Sequence, residues 1–285
     1  MKLKDKIVVI TGSSRGFGFN IAEELLKHRA VVVITGRSQQ AIESALNALQ
    51  AQGHVRGEIC DVTDEDQVYQ LAESIIQNEG QIDIWINNAG YSSAAGRVLD
   101  MNPQEGLEMF RTNSLGTMYG AQAAYKHGAK MLVNIYGAGS NGKAASPMGL
   151  YATTKAWVTS FTRTMAKEMQ SDEMQIVGFN PGMMLTDMLT RPTVVGEAGA
   201  DMMKNYGFVL RFLARTPQES AVDLVRVISR VQKPFTEYRA MKAWTPLLGL
   251  LRVLWENLTK TGKRPEFELQ IKEKYERGKN AKSRD

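Results

Sequence analysis

At 285 residues, with 43% hydrophobic and 23% charged side chains, the chain has the make-up of a soluble globular protein with room for a large core. A single cysteine, Cys60, excludes an internal disulfide and a cysteine-rich metal cluster, so no metal is expected, and it favours a reducing compartment, read as the cytoplasm. Of the net charge of +5, +4 lies in residues 260–285, where nine Lys or Arg face five acids; with no base-reading motif beside it, this stretch reads as a solvated helix and frayed end, not a nucleic-acid arm.

The N-terminal M-K-L-K-D-K is followed only by I-V-V-I before a polar Thr-Gly, too little for a signal-peptide core, and no run of eighteen apolar residues predicts a membrane span. Ile7–Ile10 is a β-branched run suited to a strand buried on both faces. T-G-S-S-R-G-F-G (11–18) follows, then an amphipathic helix with Ile21, Ala22, Leu25 and Leu26 on its apolar face. Strand, glycine-rich turn and helix form a phosphate cradle: Gly12 for the tight turn, Gly16 for close approach of the pyrophosphate, Gly18 for helix-to-sheet packing, with Ser14, Arg15 and Phe17 between them.

A second strand at Ala30–Thr35 ends in Gly36-Arg37-Ser38. Where an acid would accept from the ribose hydroxyls stands Arg37, with Arg15 in the glycine loop. Two guanidiniums suit a 2′-phosphate, which favours NADP(H) over NAD(H). After a third strand (Val55–Cys60), Asp61 and Val62 stand at an adenine site, and Thr63 or Asp64 serves as N-cap of the next helix. A fourth strand (Ile82–Ile86) closes in Asn87-Asn88-Ala89-Gly90, small and amide-bearing residues that suit a wall against a flat cofactor ring. Asn113 sits inside an amphipathic helical segment, and fifth and sixth strands are expected at Lys130–Ile135 and Met174–Phe179. Strands alternating with helices without hairpin signals indicate a doubly wound parallel α/β sheet in one domain.

Tyr151 and Lys155, in Y-A-T-T-K, lie one helical turn apart on one face. An ammonium beside a phenol favours the phenolate, and a tyrosine so tuned can exchange a proton with a carbonyl or alcohol near neutral pH. Beyond Pro181-Gly182, residues 183–215 mix Met, Leu and Phe with glycines, as expected of a substrate lid at the sheet's carboxyl edge that accepts a large apolar substrate. Pro217–Val231 reads as a helix and Phe235–Met241 as a last strand. Ala243–Trp255 is the most apolar stretch, a helix packing on the domain or on a second subunit, or else lying over the pocket or on a membrane surface.

Taken together, T-G-S-S-R-G-F-G, D-V (61–62), N-N-A-G (87–90), Asn113, Y-A-T-T-K and P-G (181–182) resemble the short-chain dehydrogenase/reductase family across residues 5–230. The resemblance implies a Rossmann-type domain over 1–240, lid included, with a C-terminal helical extension at 241–285. It also implies hydride transfer between NAD(P) and a carbonyl or alcohol carbon, in a homodimer or homotetramer. By that match Tyr151 is the acid/base, and Lys155 lowers its pKa and holds the nicotinamide ribose. Asn113 holds a water linking Lys155 to solvent, and Thr186 contacts the nicotinamide amide. The family's serine thirteen residues before the tyrosine is replaced by Ala138. Ser140, in a loop shortened by two, is the first choice for the donor that orients the substrate oxygen, Tyr136 the second, and loss of the donor the third.

G-A-G-S-N-G, Y-A-T-T-K, P-G-M-M-L-T-D-M-L and, more loosely, W-T-P-L-L-G-L-L are similar to the chlorophyll b reductase branch, which reduces a formyl tetrapyrrole. A bacterial relative acting on another lipophilic carbonyl fits the same residues. An ordinary reductase of steroids, sugars or oxoacyl thioesters, and a cofactor-binding sensor without turnover, are the competing expectations.

Overall fold

The computed structural model describes residues 2–169, 174–242, 244–259 and 267–277. In chain order the elements are β1 (Ile7–Ile10), α1 (Gly16–Lys27), β2 (Val31–Gly36), α2 (Gln39–Leu49), β3 (Val55–Ile59), α3 (Glu65–Glu79) and β4 (Ile84–Asn87). After these come α4 (Pro103–Phe110), α5 (Gly116–Lys126), β5 (Met131–Ile135), α6 (Gly149–Glu168) and β6 (Gln175–Asn180). The remainder is α7 (Asp187–Thr190), β7 (Thr193–Val195), α8 (Gly196–Met202), α9 (Tyr206–Leu213), α10 (Pro217–Arg230), β8 (Phe235–Arg239), α11 (Thr245–Thr259) and β9 (Gln270–Lys272).

Seven strands form one sheet in the order β3-β2-β1-β4-β5-β6-β8, every pair parallel. Period-2 alternation sorts β1 into two cores. Val8 and Ile10 pack with Ile21 and Leu25 of α1 and Leu224 of α10, while Ile7 and Val9 pack with Leu71 and Ile75 of α3. Each such buried aliphatic side chain contributes roughly 1.5–3 kcal/mol, so the central strands carry most of the stability. Strand order reverses at β1, which places a crevice between the carboxyl ends of β1 and β4.

Local signals explain where elements begin. Asp64, not Thr63, caps α3 by accepting from Gln67 N–H at 3.2 Å, and Thr216 with Glu219 forms a reciprocal capping box on α10. The fourth strand starts at Ile84 and not at Ile82, because the Asp83 carboxylate accepts from Ile7 N–H (2.9 Å) and Lys6 Nζ (2.8 Å). Between α4 and α5, Arg111–Leu115 is a π-helical turn around Asn113.

The lid at 183–215 has a closed neck: Leu185 N–H donates to Arg215 O, and Arg215 N–H to Met183 O, each at 3.0 Å. The tail departs from the expected solvated helix. Among its described residues, 267–277 run extended, and β9 pairs in parallel with β7 of the lid, Thr193 opposite Gln270. Phe267 packs edge-on to Tyr206, and Tyr275 N–H donates to Asp100 O at 3.0 Å. Among the described residues of the extension, α11 is the helical part. The rest of the 260–285 stretch lies outside the described residues. No helix among the described residues is long and apolar enough to cross a membrane.

Candidate active site

The glycine loop is held by side chains from the neighbouring strand end. Thr11 Oγ1 accepts from Asn88 N–H (3.0 Å) and Ala89 N–H (3.1 Å), and Asn88 Nδ2 donates to the carbonyls of Thr11 (2.9 Å) and Gly12 (3.0 Å). A Cβ on Gly12 would meet Ala89 Cα at 2.8 Å, and one on Gly18 would meet Asn88 Nδ2 at 2.5 Å. Gly18 therefore serves loop-to-helix packing. Gly16 differs: its φ is +61° and a Cβ there would meet nothing within 4 Å, which leaves the space over α1 clear. No side chain caps α1 at Arg15, and no acid sits in its first turn, so its N-terminal N–H groups face that space. These features fit the pyrophosphate of a dinucleotide.

Phe17, grouped with the cofactor residues from sequence, has a core side chain stacked on Phe179. Ser14 Oγ would lie 3.0 Å from a Cβ on Gly36, so the loops after β1 and β2 touch and bring Arg15 and Arg37 to the same rim. Arg37 is 75% exposed, its only near acid being Asp61 at 4.0 Å. The Asp61 carboxylate accepts from Thr63 N–H and Oγ1, Ser38 caps α2, and Val62 is buried against Gly116.

Across the crevice, α6 presents Tyr151 and Lys155. The phenol rests on Gly137, just past β5: a Cβ there would meet Tyr151 Oη at 2.6 Å and Lys155 Cγ at 3.1 Å. Gly137 and Thr154 are site residues the sequence reading missed. The Y-A-T-T-K motif contained Thr154, but nothing local marked it apart from Thr153. Lys155 Nζ donates to Ile135 O at 3.0 Å and lies 6.0 Å from the Tyr151 ring centroid. Burial pushes the Lys155 ammonium down to about 8 and the Tyr151 phenol up to about 12. Here desolvation outweighs the lowering of the phenol expected from the ammonium.

Asn113 is buried and its side chain clasps the strand after Gly90. Its Oδ1 accepts from Tyr91 N–H (2.7 Å), and its Nδ2 donates to Tyr91 O (2.9 Å) and Thr154 Oγ1 (2.9 Å). Gly90 lies between Asn113 Oδ1 and Lys155 Nζ, 3.6 and 3.7 Å from where its Cβ would be. Asn113 thus reaches the site with its amide engaged by protein partners.

Both candidates for the oxygen-orienting donor have protein partners. Ser140 is buried, and its Oγ accepts from Gly137 N–H (3.0 Å) and donates to Lys155 O (3.5 Å), tying the loop to α6. Tyr136, just past β5, is buried, and its hydroxyl donates to Glu237 at 3.1 Å, with burial and that carboxylate pushing its pKa up. Ala138, thirteen residues before Tyr151, lines a cavity.

This cavity, of about 360 Å³, reaches Ala138, the residue after Gly137, and is walled on its other side by the lid. Met183, Met188, Leu189, Met202, Met203 and Val209 supply its apolar wall. Ser92, Ser146, Asn205 and Tyr206 are polar groups on it, and Arg191 is its one charged side chain. On the near side, Pro181 O accepts from Ser220 Oγ (3.1 Å), Gly182 N–H donates to Asn180 Oδ1 (3.0 Å), and Thr186 stands at the N-terminus of α7 with no capping bond from its hydroxyl.

Comparison with known proteins agrees with this architecture. The short chain dehydrogenase family profile matches residues 6–193. Chlorophyll(ide) b reductase NOL of Arabidopsis thaliana is 34% identical over 67% of this chain, and its counterpart from Oryza sativa subsp. japonica is 36% identical over 67%. The match takes in 58% and 59% of those proteins' own lengths. Among solved structures, a short chain dehydrogenase/reductase from Burkholderia phymatum, in complex with NAD, superposes with a TM-score of 0.73 at 20% identity, covering 95% of this chain and 99% of its own.

Proposed function

Because the chain belongs to the short-chain dehydrogenase family, we propose that this oxidoreductase reduces a bulky lipophilic carbonyl with NADPH, Tyr151 acting as the acid. The observation that carries the reading is the Tyr151 hydroxyl seated on Gly137 beside Lys155, with the next residue, Ala138, on the wall of a methionine-lined cavity. When bound, the nicotinamide supplies the hydride. Gly12, Gly16 and Gly18 shape the cradle, and the bare N-terminus of α1 takes the pyrophosphate. Arg15 and Arg37 take the 2′-phosphate, with Ser38, Asp61 and Val62 around the adenosine. Asn88, Ala89 and Gly90 form the wall behind the nicotinamide, and Pro181, Gly182 and Thr186 bound its other side.

Tyr151 Oη gives its proton to the developing alkoxide. Lys155, the nearest cation, favours the phenolate left behind, and burial around both strengthens that interaction. With Ala138 on the wall, the substrate oxygen meets no serine at the family's position, so Tyr151 itself orients it. The relatives named for chlorophyll(ide) b support a formyl tetrapyrrole as the first substrate to try, and the methionines suit its shape. The Burkholderia structure holds NAD, but at 20% identity that likeness speaks for the fold alone. The buried thiol Cys60 fits a reducing compartment such as the cytoplasm. The alanine at 138 favours a second reading, a cofactor-binding sensor without turnover.

The test follows NADPH oxidation against formyl tetrapyrroles, steroid ketones and small aldehydes. Tyr151→Phe should lower kcat by about 10²–10⁴-fold while NADPH affinity is kept. Tight NADPH binding with no turnover on any carbonyl would favour the sensor, and binding of neither cofactor would overturn both readings.

A further inference from the structure

Helix α11 stands on α9 by one narrow face. A Cβ on Gly249 would meet Phe212 O at 2.2 Å, Val253 is buried, and Glu256 pairs with Arg211 at 3.0 Å. At 3.6 residues per turn, the opposite side is an unbroken apolar arc of about 160° running from Leu250 through Leu254, Leu247 and Leu251 to Trp255 and Leu248. These side chains and Leu258 are 43–81% exposed, and Trp244 and Phe208 extend the patch. Lys242 precedes the arc, and Arg252 at its border reaches back to Arg211 O and, with Arg211, neutralises Glu256, the one acid on the helix, leaving the surroundings of the arc net positive. So large an apolar surface needs a partner.

Residues 260–266 and 278–285 are poor candidates to cover it: they contain no Leu, Ile, Val, Phe, Met or Trp, and carry six Lys or Arg against two acids. A second copy's helix would fill one seam of the arc and leave its flanks wet, since helices meet along ridges and grooves. A planar apolar phase with anionic headgroups covers the whole arc and matches the cations beside it. The patch also adjoins the cavity through α9, which contributes Tyr206 and Val209 to the cavity and Phe208 to the surface.

We propose that α11 docks this protein on a lipid bilayer, lying in the interface plane, and that substrate reaches the cavity from that phase. The route of the substrate rests on the preceding reading, whereas the docking does not. The experiment floats the full-length protein with vesicles of phosphatidylcholine alone and of phosphatidylcholine with phosphatidylglycerol, beside Leu251→Glu/Trp255→Glu. Both substituted side chains are exposed, so the variant should keep its melting temperature. Wild type should float with both vesicle types, more strongly with the anionic one, and the variant should bind about tenfold less or weaker still.

Wild type left in solution would overturn the proposal. So would a variant that floats as well as wild type on anionic vesicles, which would assign binding to the basic tail alone. A dimer in solution that the variant dissociates, with no flotation of wild type, would reassign the face to a second copy. Flotation without turnover on any carbonyl would leave the docking standing and count against the substrate reading.

Discussion

At the glycine loop, Thr11 and Asn88 hold the backbone with four hydrogen bonds of 2.9–3.1 Å, and glycines stand wherever a methyl group would collide. Across the same sheet edge, the candidate substrate cavity is walled by five methionines and Leu189, with its polar side chains mostly small hydroxyls and a single charge, Arg191. One half fixes the position of a ligand of known shape through directional bonds. The other offers deformable apolar volume, in which affinity follows the size and greasiness of what enters. The difference suits an enzyme whose cofactor is constant and whose substrate is large, and Tyr151 stands where the two halves meet.

The sharpest way to break this contrast is to put a methyl group at their junction. Gly137→Ala should displace the Tyr151 hydroxyl and lower kcat about a hundredfold with little change in NADPH affinity, since a misplacement near 1 Å costs that much. Single-turnover kinetics beside a binding titration would separate the two effects, and equal losses in both would show that the junction is not independent of the cradle.

Lys155 provides a second test, through pH. Its folded pKa lies near 8, below the unfolded value, so between about pH 8 and 10.5 the unfolded chain holds more protons and stability rises with pH. From pH 8 to 9.5 this group alone adds up to about 2 kcal/mol. Lys155→Met should lack that increment in urea unfolding, and an unchanged pH slope would mean the ammonium is not desolvated. Tyr151 runs the other way: its raised pKa loses stability between about pH 10 and 12.

A smaller effect belongs to the nucleotide rim. Arg37→Gln should reduce the preference for NADPH over NADH about tenfold in kcat/KM, as expected for one charge-assisted contact. The least effect is expected from Ser140→Ala, about 1 kcal/mol of stability from its two loop bonds, with kcat per folded molecule unchanged. A loss of kcat there would restore Ser140 to the substrate oxygen.

The cradle was legible in the sequence because its chemistry is local: Gly12, Gly16, Gly18 and Arg37 follow directly on β-branched strands, so spacing alone places them at a sheet edge. Tyr151 and Lys155 were legible for the same reason, being one turn apart. The donor was not legible because a loop between β5 and α6 has no periodicity, and how Ser140 turns depends on the Gly137 N–H and Lys155 carbonyl that receive it. The tail was misread because β9 owes its extended form to pairing with β7, some 75 residues earlier. Composition saw only charge there. The apolar arc of α11 was visible as hydrophobicity, but its exposure depends on α9 taking only the Gly249 face.

The pinned neck of the lid has a kinetic meaning. With Met183, Leu185 and Arg215 tied at its base and β9 laid along β7, the lid's backbone is a frame braced at two places, so swinging it aside would break ladders at both. Side chains are the softer element. Rotamer changes of the lining side chains Met188 and Met202, flexible thioethers that hop far faster than a braced loop can unzip, are the cheaper way for the cavity to change shape.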